Sequence, residues 1–177
     1  MARIELEKKD KEIYKGLSDT DALTGLFNRR AFQVAADEIL LKRISGVFIF
    51  IDVDNFKDYN DKYGHANGDL CLKHFATAMK KCFPKDSILG RYGGDEFVVY
   101  IKNAASDDAH RYMDEFQREI SHLIMAGGEH VTVSASAGGV AFIGGGEDFV
   151  SLCRSADNML YDVKRNGKGT FKMKGAK

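Results

Sequence analysis

The sequence predicts an α+β domain whose central, mainly antiparallel sheet is flanked by helices. Three observations carry that expectation. Gly46-Val47-Phe48-Ile49-Phe50-Ile51-Asp52-Val53-Asp54 is an apolar run that ends in aspartates, the pattern of a strand buried on both faces. Arg91 to Phe97, with its Gly93-Gly94 pair, lies between the apolar pairs and runs Ile88-Leu89 and Val98-Val99-Tyr100-Ile101, which reads as a β-hairpin on a two-residue turn with glycines at positive φ. Segments of helical period interleave with the strands through hairpin connections, against a doubly wound parallel sheet.

Residues 1 to 18 are highly charged with sparse apolar positions (Ile4, Leu6, Ile13, Leu17), the pattern of a solvated helix. Phe32, Ala35, Ala36, Ile39 and Leu40 recur at helical spacing until Ser45-Gly46 ends that helix before the buried strand. Leu70, Cys71, His74, Phe75, Ala78, Met79 and Cys82 make a second amphipathic helix, stopped by Pro84. After the hairpin, Ser106-Asp107-Asp108 supplies a cap and negative charge to a third helix, with the stripe Ala109, Tyr112, Met113, Phe116, Ile120 and Leu123, closed by Gly127-Gly128. Val131, Val133, Ala135 and Ala137 alternate with polar residues as one half-buried strand running towards Phe142. A last helix carries Phe149, Leu152, Cys153, Ala156, Met159, Leu160 and Val163, followed by a short strand near Thr170 to Met173. Gly145-Gly146-Glu147-Asp148-Phe149 repeats the composition of the hairpin turn, but helical spacing follows it, so it reads as a glycine loop with an acidic helix start.

At 177 residues the chain fits one domain with a substantial core. Lysine plus arginine equals aspartate plus glutamate at 26 each, so no global field favours nucleic acid or an anionic membrane. Cys71, Cys82 and Cys153 lack metal-ligand spacing and fall on apolar helical faces, as reduced core thiols do. No stretch approaches a membrane span and no signal-peptide apolar region opens the chain; a soluble, cytoplasmic domain without membrane contact is expected.

The chemistry centres on carboxylates. If the hairpin pairs beside the buried strand, Asp95 and Glu96 converge on Asp52. Hard oxygen ligands with few protein donors suit Mg²⁺ holding a polyphosphate.

Arg91 to Phe97 resembles the signature of the GGDEF domain family, the diguanylate cyclases. Three further blocks match it in order: Asp21 to Arg30, Asp52 to Asp61, and Gly64 to Asp69. The likeness covers about Asp19 to Phe171. It implies a palm-like fold shared with nucleotidyl cyclases and polymerases. The implied activity joins two GTP into cyclic di-GMP, a bacterial second messenger, with release of two pyrophosphates, using Mg²⁺ or Mn²⁺ across a transient homodimer of half-sites. It also implies a division into an N-terminal signalling or linker helix, 1–18, descending from an upstream sensor domain, and a catalytic domain, 19–177.

By the same resemblance Asp52 and Asp95 are metal ligands assisted by the Val53 carbonyl, and Glu96 is a second ligand or acts in hydroxyl activation. The resemblance leaves open which acid is the general base. Asn55-Phe56-Lys57 opens a short turn whose N–H groups receive phosphate, and Lys57, Lys164 and Lys168 match the basic phosphate positions. The last is more often arginine, which would give a bidentate fork. For Lys164 and Lys168, complementing a helix C-terminus is an equal alternative. Asn60 and Asp69 match the guanine readers; their alternatives are a surface turn and a helix cap. Asp54 is expected to cap the turn after the strand, and His65 and the Asp21 to Arg30 block are read as structural. The family's inhibitory Arg-x-x-Asp motif is replaced by Pro84 and Ser87, so product inhibition through that site is not expected. The rival reading is a binding module that retains GTP or cyclic di-GMP without turnover; a dinucleotide synthase that accepts ATP at one site is disfavoured by Asp69.

Overall fold

The computed structural model describes residues 19–125 and 127–174, so the helix expected over 1–18 lies outside the described residues. In chain order the elements are β1 (Phe27–Asn28), α1 (Arg29–Leu41), β2 (Gly46–Val53), α2 (Phe56–Tyr63), α3 (His65–Cys82), β3 (Ile88–Arg91), β4 (Glu96–Lys102), α4 (Ser106–Ile120), β5 (Leu123–Ile124), β6 (His130–Val131), β7 (Ala135–Phe142), α5 (Phe149–Arg165) and β8 (Phe171–Lys174). Six strands form one sheet in the order β1-β3-β4-β2-β7-β8, and β5-β6 form a separate hairpin. The pairs β3-β4, β4-β2 and β2-β7 are antiparallel, whereas β1-β3 and β7-β8 are parallel. The α+β expectation holds.

β2 is the centre because its backbone is paired on both edges and its β-branched and aromatic side chains are covered on both faces. Val47, Ile49, Ile51 and Val53 point to one face, under α3 and α4, with Phe75, Met79, Met113 and Phe116. Phe48 and Phe50 point to the other, under α1 and α5, with Phe32, Phe149, Leu152 and Leu160. Period two then sends Asp52 out beyond Phe50, on the α5 side. Helix α5 lies unusually close to β7: a Cβ at Gly138 would stand 2.1 Å from Ala156 O and 2.3 Å from Leu160 N. Among the described residues no helix is long and apolar enough to cross a membrane.

Several boundaries differ from expectation. Helix α3 begins at His65, and the turn expected at Asn55 is instead the two-turn helix α2, joined to α3 through Gly64 at φ +80°. The Ser106 segment starts α4, but the cap position is Ala105, whose N–H donates to Asp108 Oδ2 at 3.3 Å. Helix α4 stops at Ile120, which moves Leu123 from the helical stripe into β5. The single strand expected from Val131 is split, because Asp54 N–H donates to Ser134 O at 2.9 Å and the Gln117 amide brackets the Ala135 backbone, pulling the chain from the β5-β6 hairpin onto β2. Beyond that bend β7 lies between two strands and is buried on both faces for most of its length, not half-buried. The glycine loop at 144–147 precedes a helix as expected, with Asp148 Oδ1 accepting Ser151 N–H at 2.7 Å.

The Asp21 block is structural in a specific way. Asp21 accepts Thr24 N–H at 2.9 Å, Thr24 Oγ1–H at 2.7 Å and Arg91 Nη1 at 3.1 Å. Burial works against ionisation, but these donors outweigh it and hold the carboxyl below its ordinary range. Arg91 in turn donates to Gly94 O at 2.7 and 3.1 Å, so this block braces the loop between β3 and β4.

Candidate active site

The hairpin that carries the acidic pair is wider than a two-residue turn. The ladder ends at Arg91–Phe97, Tyr92 N–H donates to Glu96 O at 2.8 Å, and neither Gly93 nor Gly94 is at positive φ. A Cβ at Gly93 would fall 2.8 Å from Glu96 Oε2, so a larger residue there would push that carboxylate aside. Only Asp95 stands in the loop; Glu96 is the first residue of β4, directly opposite Asp52 in the register. The Asp95 carbonyl accepts Val53 N–H at 3.1 Å, which ties the loop to the end of β2. Asp52, Val53, Asp95 and Glu96 therefore meet at one end of the central strands.

The electrostatics of this cluster are lopsided. Asp52 is 8% exposed. Burial pushes its carboxyl up; Lys164 offsets part of that, and Asp95 and Asp54 add to it. Glu96 is likewise raised by burial, then by Asp52 and Asp95, with Lys164 opposing. Lys164, near the end of α5, places Nζ 2.8 Å from Asp52 Oδ2, the position of a cation between the strands and the helix. Among the described residues no three acidic, histidine or cysteine side chains form a ready-made metal cage. A crowded carboxylate pair that already attracts an ammonium suits a hard divalent cation held jointly with phosphate oxygens, so the donor set fits Mg²⁺ or Mn²⁺.

A second group sits beside the first. Asn55 adopts φ +54° and precedes α2, which has no side-chain cap, so its first-turn N–H groups have no capping side-chain acceptor. Phe56 is half-buried and stacks against Tyr59, leaving its backbone rather than its ring for any ligand. Lys57 is exposed in the first turn. Lys168 lies beyond α5 and donates from Nζ to Asn55 Oδ1 at 2.7 Å, so it does not complement the end of α5. Asp54 does not cap α2 either. Its oxygens accept Ser136 Oγ–H at 2.6 Å, Ser134 Oγ–H at 2.7 Å and Gly169 N–H at 3.0 Å.

Asn60 and Asp69 lie on α2 and α3 across the Gly64 joint. Asn60 Oδ1 is buried without a partner, and a Cβ at Gly68 would fall 1.9 Å from it, so glycine there makes room for the amide. Asp69 is exposed within α3 rather than at its cap, and His65 is exposed at the helix start. Sequence reasoning missed two neighbours. Arg91 braces the loop through Gly94 O, as its place before the Gly-Gly pair could have suggested. Asp157 of α5 shares with Glu96 a groove lined also by Phe50, Tyr92, Cys153 and Arg154, and no sequence pattern announces that.

A mainly antiparallel sheet with an acidic pair at one end of its central strands defines a palm-like domain. The chain belongs to the GGDEF family: residues 18–170 match the family model described as "Diguanylate cyclase, GGDEF domain". It is 33% identical over 168 residues to the cyclic di-GMP phosphodiesterase PdeR of Escherichia coli, covering 93% of this chain and 25% of that protein. It is 30% identical over 166 residues to diguanylate cyclase DgcM of Escherichia coli, covering 92% and 40%. The solved coiled coil and GGDEF domain of DgcB from Caulobacter crescentus, in complex with c-di-GMP, matches with a TM-score of 0.84 at 26% identity, covering 98% of this chain and 94% of that one. The chain thus spans a quarter to under half of the length of these curated relatives.

Proposed function

We propose that this domain is a metal-dependent diguanylate cyclase that condenses two GTP into cyclic di-GMP and two pyrophosphates. The observation that carries the reading is the pairing of Asp52 with Glu96, closed by the Val53–Asp95 backbone bond. Each of the two bond-forming steps, the second of which closes the ring, joins a ribose 3′-oxygen to an α-phosphorus and breaks the bond to pyrophosphate. Asp52, Asp95, Glu96 and the Val53 carbonyl would hold Mg²⁺ or Mn²⁺, which when bound supplies Lewis-acid stabilisation of phosphate charge. The uncapped start of α2 with Asn55, Lys57 and Lys168 receives the outer phosphates, Lys164 neutralises charge beside Asp52, and the Asp95–Glu96 carboxylates take up the hydroxyl proton. Asn60 and Asp69 read the guanine edge, an amide and a carboxylate suited to the purine's O6 and its N1–H/N2–H edge. In this reading the domain works in the cytoplasm, below a sensor that controls how often two copies meet.

Asn60→Ala and Asp69→Ala should each weaken GTP binding and relax GTP-over-ATP discrimination, by about 1–3 kcal/mol per lost polar contact. Competition binding with both nucleotides measures it, and unchanged discrimination in both variants would refute the guanine assignment.

One domain holds one nucleotide, so turnover per domain should rise with protein concentration until dimers saturate. Incubation with GTP and Mg²⁺ across a dilution series, with chromatography of the nucleotides and sizing at the same concentrations, tests both the activity and its order. A flat rate per domain in a sample sized as monomer contradicts catalysis between half-sites. GTP bound without any cyclic di-GMP favours the rival binding module, a reading that the match to a relative named as a phosphodiesterase keeps in play.

A further inference from the structure

The carboxylate of Asp54 lies two residues from Asp52 yet faces another task. We infer that Asp54 is a positioning residue that fixes the strap between α5 and β8, residues 166–170, so that Lys168 is held against the start of α2 and the affinity for the nucleotide's phosphate chain depends on it. The inference rests on the reading that Lys168 and the α2 start receive phosphate.

The strap has a shape that it would not keep unaided. Gly167, Lys168 and Gly169 follow one another at φ +120°, +62° and +63°, and the left-handed region is costly for a lysine. At its helix end Lys168 N–H reaches Val163 O at 3.2 Å, an ordinary helix-ending bond. At the other end Gly169 N–H donates to Asp54 Oδ2 at 3.0 Å and approaches Ser136 Oγ at 3.2 Å. The same carboxylate accepts both serine hydroxyls, Ser136 on β7 and Ser134 in the bend before it, so its position is set from a segment about 80 residues away in sequence. Bonds to an ionised acceptor are the stronger kind. The next residue, Asn55, is itself left-handed and accepts Lys168 Nζ at 2.7 Å. Two consecutive residues therefore grip two consecutive strap residues, Asp54 by the backbone of Gly169 and Asn55 by the side chain of Lys168. Asp54 touches no expected substrate atom; it acts through Lys168 by removing the freedom that the ammonium would otherwise lose on binding.

The test measures equilibrium binding of GTP, and of guanosine by ligand-observed NMR, to wild type, Asp54→Ala, Lys168→Ala and the double variant, with amide exchange along the strap. Asp54→Ala should weaken GTP about tenfold, the worth of one charge-assisted contact. Guanosine affinity should stay within about twofold because no base contact changes. Lys168→Ala should match that loss, the double variant should add nothing to it, and the Gly169 amide should exchange faster in Asp54→Ala. A merely structural Asp54 would lower GTP and guanosine affinity together. That result, losses that multiply in the double variant, or undiminished GTP affinity with a loosened strap would each overturn the inference. If Lys168→Ala alone leaves GTP binding intact, the phosphate reading itself fails, and the inference falls with it. Should Asp54→Ala not fold, Asp54→Asn and Ser134→Ala each remove part of the grip and should lie between; wild-type GTP affinity in both would equally overturn it.

Discussion

Asp52→Asn will abolish cyclic di-GMP formation and raise the melting temperature of the metal-free domain. The two effects have one origin. Asp52 is buried facing Glu96, with Asp95 and Asp54 nearby, and burial raises its carboxyl even after Lys164 is counted, so its charge opposes folding. An amide of the same shape removes the repulsion and the burial cost, while Lys164 keeps access to water. Because the folded carboxyl is raised, it destabilises the native state at high pH, and that penalty fades as the pH falls and the folded group takes up its proton. The gain from asparagine should therefore be present at pH 7 and gone below the unfolded value of about 3.9. Each kcal/mol recovered should appear as about 2–4 °C for a domain of this size. Under the proposed function, loss of the Asp52 charge should cost at least about a hundredfold to a thousandfold in turnover. Melting curves at pH 7 and below 4, with nucleotide chromatography, check both halves. Equal melting temperatures at pH 7 would show that the cluster is not strained, and undiminished turnover would remove Asp52 from the chemistry.

Gly138→Ala should be the most damaging single methyl that can be added to the sheet. The new Cβ would meet backbone atoms of Ala156, Met159 and Leu160, and neither the central sheet nor a helix can yield as a flexible side chain can. Helix α5 must move off β7, uncovering Phe48 and its neighbours, at a cost of about 3 kcal/mol or more, or on the order of 6–12 °C. Gly145→Ala is the control: nothing lies within 4 Å of its Cβ and its φ is not left-handed, so its melting temperature should be unchanged. Because α5 carries Lys164, the folded remainder of Gly138→Ala should also turn over more slowly, with the loss in kcat exceeding that in guanosine affinity. A stable, fully active Gly138→Ala protein would mean that α5 is not held as close as 2.1 Å implies.

What the sequence disclosed depended on how local the signal was. The apolar run of β2, the helical stripes of α1, α3 and α5, and the hairpin with its acids all carry their periodicity within a dozen residues. Helix α2 is a weaker signal: Phe56, Tyr59 and Tyr63 share one face at helical spacing, but over eight residues with none fully buried so short a stripe also fits a turn. Asp54 looked like a cap because its partners, Ser134 and Ser136, are distant in sequence and belong to a strand whose break was invisible. The hairpin glycines have the composition of a positive-φ turn but lie in a wider loop at ordinary φ, where only Gly93 comes close to the Glu96 carboxylate. The proximity of Lys164 to Asp52 followed from the fold, since one helix crosses the sheet end where β2 stops.

The two borders of the sheet have a bearing on how copies of this domain find one another. One border, β1, is two residues long, and the other, β8, alternates Phe171 and Met173 with the exposed lysines Lys172 and Lys174. Short or lysine-bearing borders discourage strand-to-strand zippering between molecules. A protein whose proposed chemistry needs repeated, reversible meetings of two copies gains from this, since collisions are less readily trapped as fibrils or mispaired sheets.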